Sequence, residues 1–347
     1  MTIEKKIEAF RILGQFLKSF EKPNKNKDVE KLDKLIRESH LYNPWFIEKN
    51  VRYALVAIGK SLEEDNIRKW IEPYKESLEK QNIAKTIGVV MAGNLPLVGF
   101  SDFLCVLMSG NKILAKLSSD DNKLLPAIAD KLIEIETGFK DYIKFTEEKL
   151  QNFDAIIATG SNNTSRYFEY YFGKYPHIIR KNRNGVAVLT GKESEEDFRK
   201  LGDDIFMYFG MGCRSVSKVF VPEGYLFNSF FEAIEDYKYV GEHHKYNNNY
   251  DYYKSIYLIN TLKHLDNGFL LVKNDSSYSS PPSVLYFEEY KNIKNLNNRL
   301  IAESGQLQCT VSNSKEISGA VSFGMAQNPE LWDYADGVDT LEFLLNF

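Results

Sequence analysis

Residues 85–110 read KTIGVVMAGNLPLVGFSDFLCVLMSG, and the class of the fold turns on how this run is divided. Taken whole, Gly88 to Met108 has the length of a bilayer span. Asn94, Pro96, Ser101 and Asp102 interrupt it, and a charged side chain near a bilayer centre costs roughly 2.5–3.5 kcal/mol. The run therefore divides into KTIGVVMAG, an apolar strand stopped by glycine, then a sharp Gly-Asn-x-Pro turn, then a helix closed by Gly110. No membrane span is expected.

The same alternation continues downstream. NKILAKLSS (111–119) is strand-like, LLPAIADKLIEIE (124–136) helical, FDAIIATGS (153–161) a strand, TSRYFEYYFG (164–173) a helix and GVAVLTG (185–191) a further strand. Strands alternating with helices at these lengths predict an α/β fold with a doubly wound parallel sheet, whose ligands bind at the carboxyl ends of the strands. A second α/β unit begins after about Glu193 with the helix SEEDFRKLGDDIFMYFG (194–210), a turn at Cys213 and the strand SVSKVFVPEGY (215–225). QLQCTVS (306–312) and ISGAVSFG (317–324) read as short strands, and VDTLEFLLNF (338–347) as a closing helix. YNNNYDYYK (246–254) reads as a polar surface loop. Upstream, Ile3, Ile7, Phe10, Leu13, Leu17 and Phe20 recur at helical spacing, so residues 1–84 are expected to be mostly helical. The expected organisation is a cofactor-binding domain with a helical N-terminal region at 1–192, a catalytic thiol domain at 193–320 and a C-terminal return segment at 321–347.

Composition narrows the function. With 347 residues, 43% hydrophobic and 27% charged, the chain can bury a large core. A net charge of -4, with acidic and basic residues interleaved, argues against a nucleic-acid binder, which would show a basic face. Cys105, Cys213 and Cys309 are too few and scattered for a disulfide framework, and the five histidines form no HExxH pattern, so no metal site is expected. The N-terminus lacks the apolar core and cleavage site of a signal peptide, so a cytoplasmic, reducing location is expected.

Four features carry candidate chemistry. Cys213 lies in FGMGCRSVSKVFVP (209–222), where a helix stops at glycines before a strand. Glycines beside a thiol let substrate approach the backbone, and Arg214 would favour the reactive thiolate. GMGCRS lacks the third glycine of a dinucleotide fingerprint and sits in the wrong context for one. Asn94, with Gly93 before it, ends a strand where a side-chain amide can donate to an oxyanion; an Asx-type turn residue is the plainer reading. Gly160 and Ser161 open a helix whose N-terminus suits a phosphate. Lys116, with Ser118 and Ser119, places a cation and hydroxyls at a strand end, suited to an adenosine ribose or its 2′-phosphate. Cys105 and Cys309 read as core residues, and the pair His243–His244 as a weaker source of a general acid.

In this order, AGNLP, SGNKILAKLSSDD, ATGSNNTSR and GMGCRSVSKVFVP resemble the motifs of the aldehyde dehydrogenase superfamily, and within it the acyl-CoA reductase family that includes the fatty acid reductase of bacterial luminescence. The match runs from about Lys85 to Pro222. It is loose over SSPPSVLYF and ADGVDTLEFL and poor before residue 80. The resemblance implies an aldehyde dehydrogenase-like fold with Cys213 as nucleophile and Asn94 with the Cys213 backbone N–H as oxyanion donors. It implies Lys116 on the adenosine ribose, and Gly160 and Ser161 at the pyrophosphate. Ser119 stands where an acidic residue often discriminates cofactors, which favours NADP(H) with NAD still open.

Two departures are informative. The family's Glu-Leu-Gly-Gly, whose glutamate activates water on the acyl-enzyme, is replaced near 180–185 by RKNRNG, with no carboxylate. The Glu-x-Phe-Gly-Pro that grips the nicotinamide ribose becomes SSYSSPPSV (276–284). An enzyme that oxidises an aldehyde to free acid needs that water-activating base, whereas one that reduces a thioester does not. The expectation is NADPH-dependent reduction of a fatty acyl thioester, carried on CoA or on a protein, through a Cys213 acyl-enzyme. A short-chain CoA-acylating aldehyde dehydrogenase and a non-catalytic scaffold binding an acyl-protein partner are the alternatives. The resemblance also implies delivery by an acyl-protein synthetase. The chain is shorter than typical members, which leaves the oligomerisation hairpin and the oligomeric state open.

Overall fold

A computed structural model describes residues 1–23, 27–80 and 83–347. The chain forms two compact units, Met1–Lys181 with Glu330–Phe347, and Asn182–Pro329.

The first unit opens with helices α1 (Ile3–Lys18), α2 (Lys27–Arg37), α3 (Glu48–Ser61), α4 (Glu64–Ile71) and α5 (Lys75–Lys80). Ile7, Phe10, Leu13 and Leu17 form the buried stripe of α1, as the spacing predicts. There follow β1 (Thr86–Val90), α6 (Phe100–Met108), β2 (Lys112–Lys116), α7 (Leu124–Ile135), β3 (Ile143–Thr146), β4 (Ala155–Thr159), α8 (Asn162–Phe172) and β5 (His177–Arg180). The five strands pair in the order β3-β2-β1-β4-β5, every neighbouring pair parallel. β1 lies centrally because Ile87 and Val89 are fully buried, as are Ala155–Ala158 of β4 beside it, the continuous apolar signature of a strand covered on both faces. The supposed span is thus a core strand, a turn and a core helix. No helix among the described residues is long and apolar enough to cross a membrane.

The second unit contains β6 (Asn184–Val188), α9 (Glu195–Phe206), β7 (Val216–Pro222), α10 (Asn228–Ala233), α11 (His244–Ile259), β8 (Leu265–Asp266), β9 (Leu271–Asn274), β10 (Val284–Tyr290), α12 (Ile293–Ala302) and β11 (Leu307–Val311). Its sheet runs β11-β6-β7-β10-β9-β8, parallel except for β8 against β9. The last helix, α13 (Thr340–Asn346), belongs to the first unit. There Asn111 donates to the Leu344 carbonyl and Arg180 to Thr340.

Three expectations change, the first being that ISGAVSFG forms no strand and makes only a single bridge, Val321 beside Val311. GVAVLTG does not extend the first sheet: Gly185–Val188 pair with β7 and β11, so the units meet at 181/182 and 329/330 rather than at 192/193 and 320/321. An apolar strand of this kind satisfies either parallel sheet, and its sequence alone does not choose. YNNNYDYYK is not a loop but the middle of α11. Its tyrosines supply the helical stripe: Tyr246, Tyr250 and Tyr257 are buried, with the Tyr246 hydroxyl on the Phe269 carbonyl and that of Tyr250 on Asp266. Asparagines mask the periodicity by polarity, not by position.

Candidate active site

In the first unit, the central strands β1, β2 and β4 run parallel in register, Val90 opposite both Lys116 and Ala158. Their carboxyl ends therefore deliver three segments to one edge: Gly93–Asn94 after β1, Lys116–Ser119 at the end of β2, and Gly160–Ser161 after β4. The chain leaves β1 toward β2 and β3 and returns on its other side as β4 and β5. This reversal makes the β1/β4 edge the crevice where open α/β sheets bind ligands.

Local structure at this edge is tight. A Cβ on Gly93 would stand 2.5 Å from Ser118 Oγ and 2.6 Å from Ser118 Cβ, so the first two segments touch only because residue 93 is glycine. Ser118 Oγ also accepts the Asp120 N–H at 3.2 Å. Ser161 caps α8, its Oγ accepting the Thr164 N–H at 3.2 Å. Asn94, Ser119 and Ser161 are exposed, while Lys116 and Ser118 are half-buried.

A residue unmarked by the sequence braces this edge. Asp121 is buried, and its carboxylate accepts the N–H of Leu97 at 2.9 Å and that of Leu124 at 3.4 Å. Leu97 has a positive φ of 59°, a conformation rare for a branched side chain that its surroundings must hold. Burial pushes the Asp121 carboxyl up to about 6, against the opposing pull of its backbone N–H partners.

In the second unit, Cys213 is exposed in a tight turn, with the Ser215 N–H on the Gly212 carbonyl at 3.0 Å. Just upstream, Tyr208, Phe209 and Gly210 all have positive φ (54°, 58° and 74°). Three consecutive left-handed residues, two of them buried aromatics, abruptly end the helical segment that leads to the cysteine. The Phe209 ring lies 4.4 Å from that of His243. Phe209 helps wall a pocket with Ile205, Phe206, Val216, Tyr246 and the loop Ser280–Val284. That loop contains a further left-handed residue, Ser283, at 67°.

Arg214, next to the cysteine in sequence, also reaches residues far along the chain. Its Nε donates to the Ala326 carbonyl at 2.6 Å and its Nη2 faces Cys309 Sγ at 3.9 Å. Cys309 is buried in β11 and Cys105 in α6, both as core residues. Asp204, fully buried on α9, accepts the N–H groups of Gly324 at 2.7 Å and Ala326 at 2.9 Å. Sequence reading passed over Asp204, yet it follows Phe198 and Leu201 at three-residue steps on the apolar stripe of its helix. A carboxylate in that register is a detectable signal of a buried, partnered acid.

The sequence profile of the family described as Acyl-CoA reductase (LuxC) matches residues 16–232. No curated protein matches the sequence significantly. Among solved structures, aldehyde dehydrogenase 21 from Physcomitrella patens, in complex with succinate, aligns at 11% identity over 100% of this chain and 84% of its own, with a TM-score of 0.68. An oxidoreductase from Marinobacter aquaeolei aligns at 10% identity over 95% and 79%, with a TM-score of 0.69. An NADP-dependent enzyme from E. coli aligns at 11% over 95% and 79%, with a TM-score of 0.64. At such identities the likeness establishes the fold, that of the aldehyde dehydrogenases.

Proposed function

The chain belongs to the acyl-CoA reductase (LuxC) family of oxidoreductases acting on acyl-CoA or aldehyde, and from that premise we propose that it reduces an acyl thioester to an aldehyde with NADPH through an acyl-enzyme on Cys213. The observation that carries this reading is the exposed Cys213 turn, set off by a strained aromatic segment on one side and the start of β7 on the other.

In this mechanism the Cys213 thiolate attacks the thioester carbonyl, and the tetrahedral adduct expels the CoA thiolate, leaving the acyl group on Sγ. Asn94 and the Cys213 backbone N–H are the donors assigned to the oxyanion. When bound, the reduced nicotinamide supplies a hydride to the acyl carbon. The resulting thiohemiacetal alkoxide re-forms the carbonyl as its C–S bond breaks, giving aldehyde and returning the Cys213 thiolate.

Several features support a dinucleotide at the β1/β4 edge. Gly93 lets the backbone come close, and the Ser161-capped α8 offers its N-terminal N–H groups to a pyrophosphate. Lys116, Ser118 and Ser119 present a cation and two hydroxyls to the adenosine ribose. Residues 180–185 contain no carboxylate, which supports reduction of the acyl-enzyme over its hydrolysis.

The test mixes purified protein, NADPH and acyl-CoAs of several lengths, and follows both nicotinamide oxidation and aldehyde. Wild type is expected to consume NADPH and yield aldehyde, and Cys213→Ala to do neither. Equal turnover by the two proteins removes Cys213 from the mechanism. The chain-length profile separates a fatty acyl reductase from a short-chain acylating dehydrogenase.

A further inference from the structure

The segment that follows β11 has little regular structure of its own, yet it makes close contacts with the Cys213 turn. Ala326 accepts Arg214 Nε at 2.6 Å, and Gln327 Nε2 donates to Ser215 Oγ at 3.1 Å, the same oxygen that accepts the Gly212 N–H at 3.2 Å. Three of the turn's four residues are thus tied, directly or through Ser215, to positions 326 and 327. What fixes positions 326 and 327 in turn is the carboxylate of Asp204, one oxygen on the Gly324 N–H and the other on the Ala326 N–H.

We propose that Asp204 is a positioning residue for the nucleophile, holding Gly324–Ala326 so that Ala326 can receive Arg214 and set the turn that presents Cys213. The proposal rests on the reading of Cys213 as the nucleophile.

The chemistry requires a carboxylate. Gly324 has a positive φ of 83°, which turns the N–H groups of residues 324 and 326 toward one anion, a backbone nest. Both carboxylate oxygens are used as acceptors. An amide of the same shape offers one acceptor and sets an N–H₂ group against the other N–H. Burying an acid is costly, so an apolar residue on this face of α9 would serve packing alone better. The charged groups that face Asp204 are Asp203 on its own helix and Arg214 from the turn. The Lys200 stem lies against Gly324, 3.2 Å from where its Cβ would stand. Burial pushes the Asp204 carboxyl up to about 7, so the two-oxygen grip strengthens as pH rises through neutrality.

Hydrogen exchange on the whole unliganded protein tests this without reference to turnover. Wild type, Asp204→Asn, Arg214→Lys and the double variant are compared over peptides spanning 208–217 and 322–328. Asp204→Asn is expected to speed exchange about tenfold or more in both segments. Arg214→Lys is expected to do so in 208–217, and the double variant to match Asp204→Asn there, since both act along one path. Loosening confined to 322–328 in Asp204→Asn, or multiplicative effects in the double variant, overturns the coupling. Should Asp204→Asn not fold, Arg214→Lys carries the test, and wild-type exchange over 208–217 in that variant overturns the proposal.

With acyl-CoA and NADPH, both single variants are expected to lose about tenfold or more in kcat with KM for the thioester within about twofold, as misplacement of a reacting group does. A loosened turn with unchanged kcat defeats the positioning role. Full activity in Cys213→Ala defeats the nucleophile assignment instead, and leaves the exchange result standing.

Discussion

Arg180 and Asp102 form an ion pair at 2.6 Å with each side chain 7% exposed. The pair joins the end of β5 to α6, and Arg180 also donates to Thr340 beside α13. Arg180 is thus a buried structural cation. Asp102 Oδ1 and Arg180 Nε are buried without a hydrogen-bond partner, so neither charge is fully compensated. Asp102→Asn should destabilise the protein by about 3–5 kcal/mol, because the guanidinium is left buried and unpaired. Replacing both residues, Asp102→Leu with Arg180→Met, should restore most of that loss. The comparison is made by denaturant unfolding, and a single variant as stable as wild type contradicts it.

The contact between Gly93 and Ser118 gives a second expectation. A methyl group at 93 meets both Ser118 Oγ and Cβ inside normal contact distance, and neither can yield without moving the loop after β2. Gly93→Ala should cost about 1–3 kcal/mol from overpacking. It should also raise the Kd for NADPH, measured by titration calorimetry, more than it changes the reactivity of the Cys213 thiol. Unchanged cofactor affinity removes these two loops from the cofactor site.

Much of the first unit was legible because its signals are local. β1, β2 and β4 are each a short apolar run with polar or glycine residues just after it, so Asn94, Lys116 and Ser161 could be placed at strand ends without coordinates. The Cys213 turn was legible for the same reason, as Gly210 and Gly212 stand just before the cysteine. What escaped depends on contacts between distant positions. β6 is apolar enough for either sheet, and only its pairing with β7 and β11 assigns it. Arg214 reads as the neighbour of a thiolate, and its contacts with Ala326 and Cys309, 112 and 95 positions away, leave no mark in the sequence. Asp121 and Asp204 each stand next to another aspartate, so they read as surface charge. Their backbone N–H partners gave no trace in the sequence.

Ser119 allows a test of cofactor choice. It is exposed after β2, where an acidic residue would face a 2′-phosphate. Ser119→Glu should weaken NADPH about tenfold, the effect of roughly 1.4 kcal/mol of like-charge repulsion, and leave NADH nearly unchanged. Lys116→Ala should weaken NADPH more than NADH. The ratio of kcat/KM for the two cofactors reports both effects, and a ratio that does not move in either variant places the adenosine phosphate elsewhere.

Asp121 and Asp204 set the dependence of stability on pH. Burial holds their carboxyls at about 6 and about 7, against the usual 3.8. Each therefore binds its proton more tightly in the folded chain than in the unfolded one. Where the folded state holds more protons, stability falls as pH rises. The contribution is fully present below the usual carboxyl range. It is lost as pH rises through about 6 for Asp121 and about 7 for Asp204. For Asp121 the change is about 3 kcal/mol, at about 1.36 kcal/mol per pKa unit. Unfolding free energies measured between mildly acidic and neutral pH should decline in wild type and flatten in part in Asp121→Asn and in Asp204→Asn. The double variant should flatten most. A wild-type curve that rises with pH over that window would mean that paired carboxylates elsewhere dominate and that these two acids ionise normally. The same titration should act on the Cys213 turn in the opposite sense. Deprotonation costs Asp204 folding energy but gives it both acceptor oxygens for Gly324 and Ala326, so the turn is expected to be best ordered at a pH where the fold as a whole is less than maximally stable.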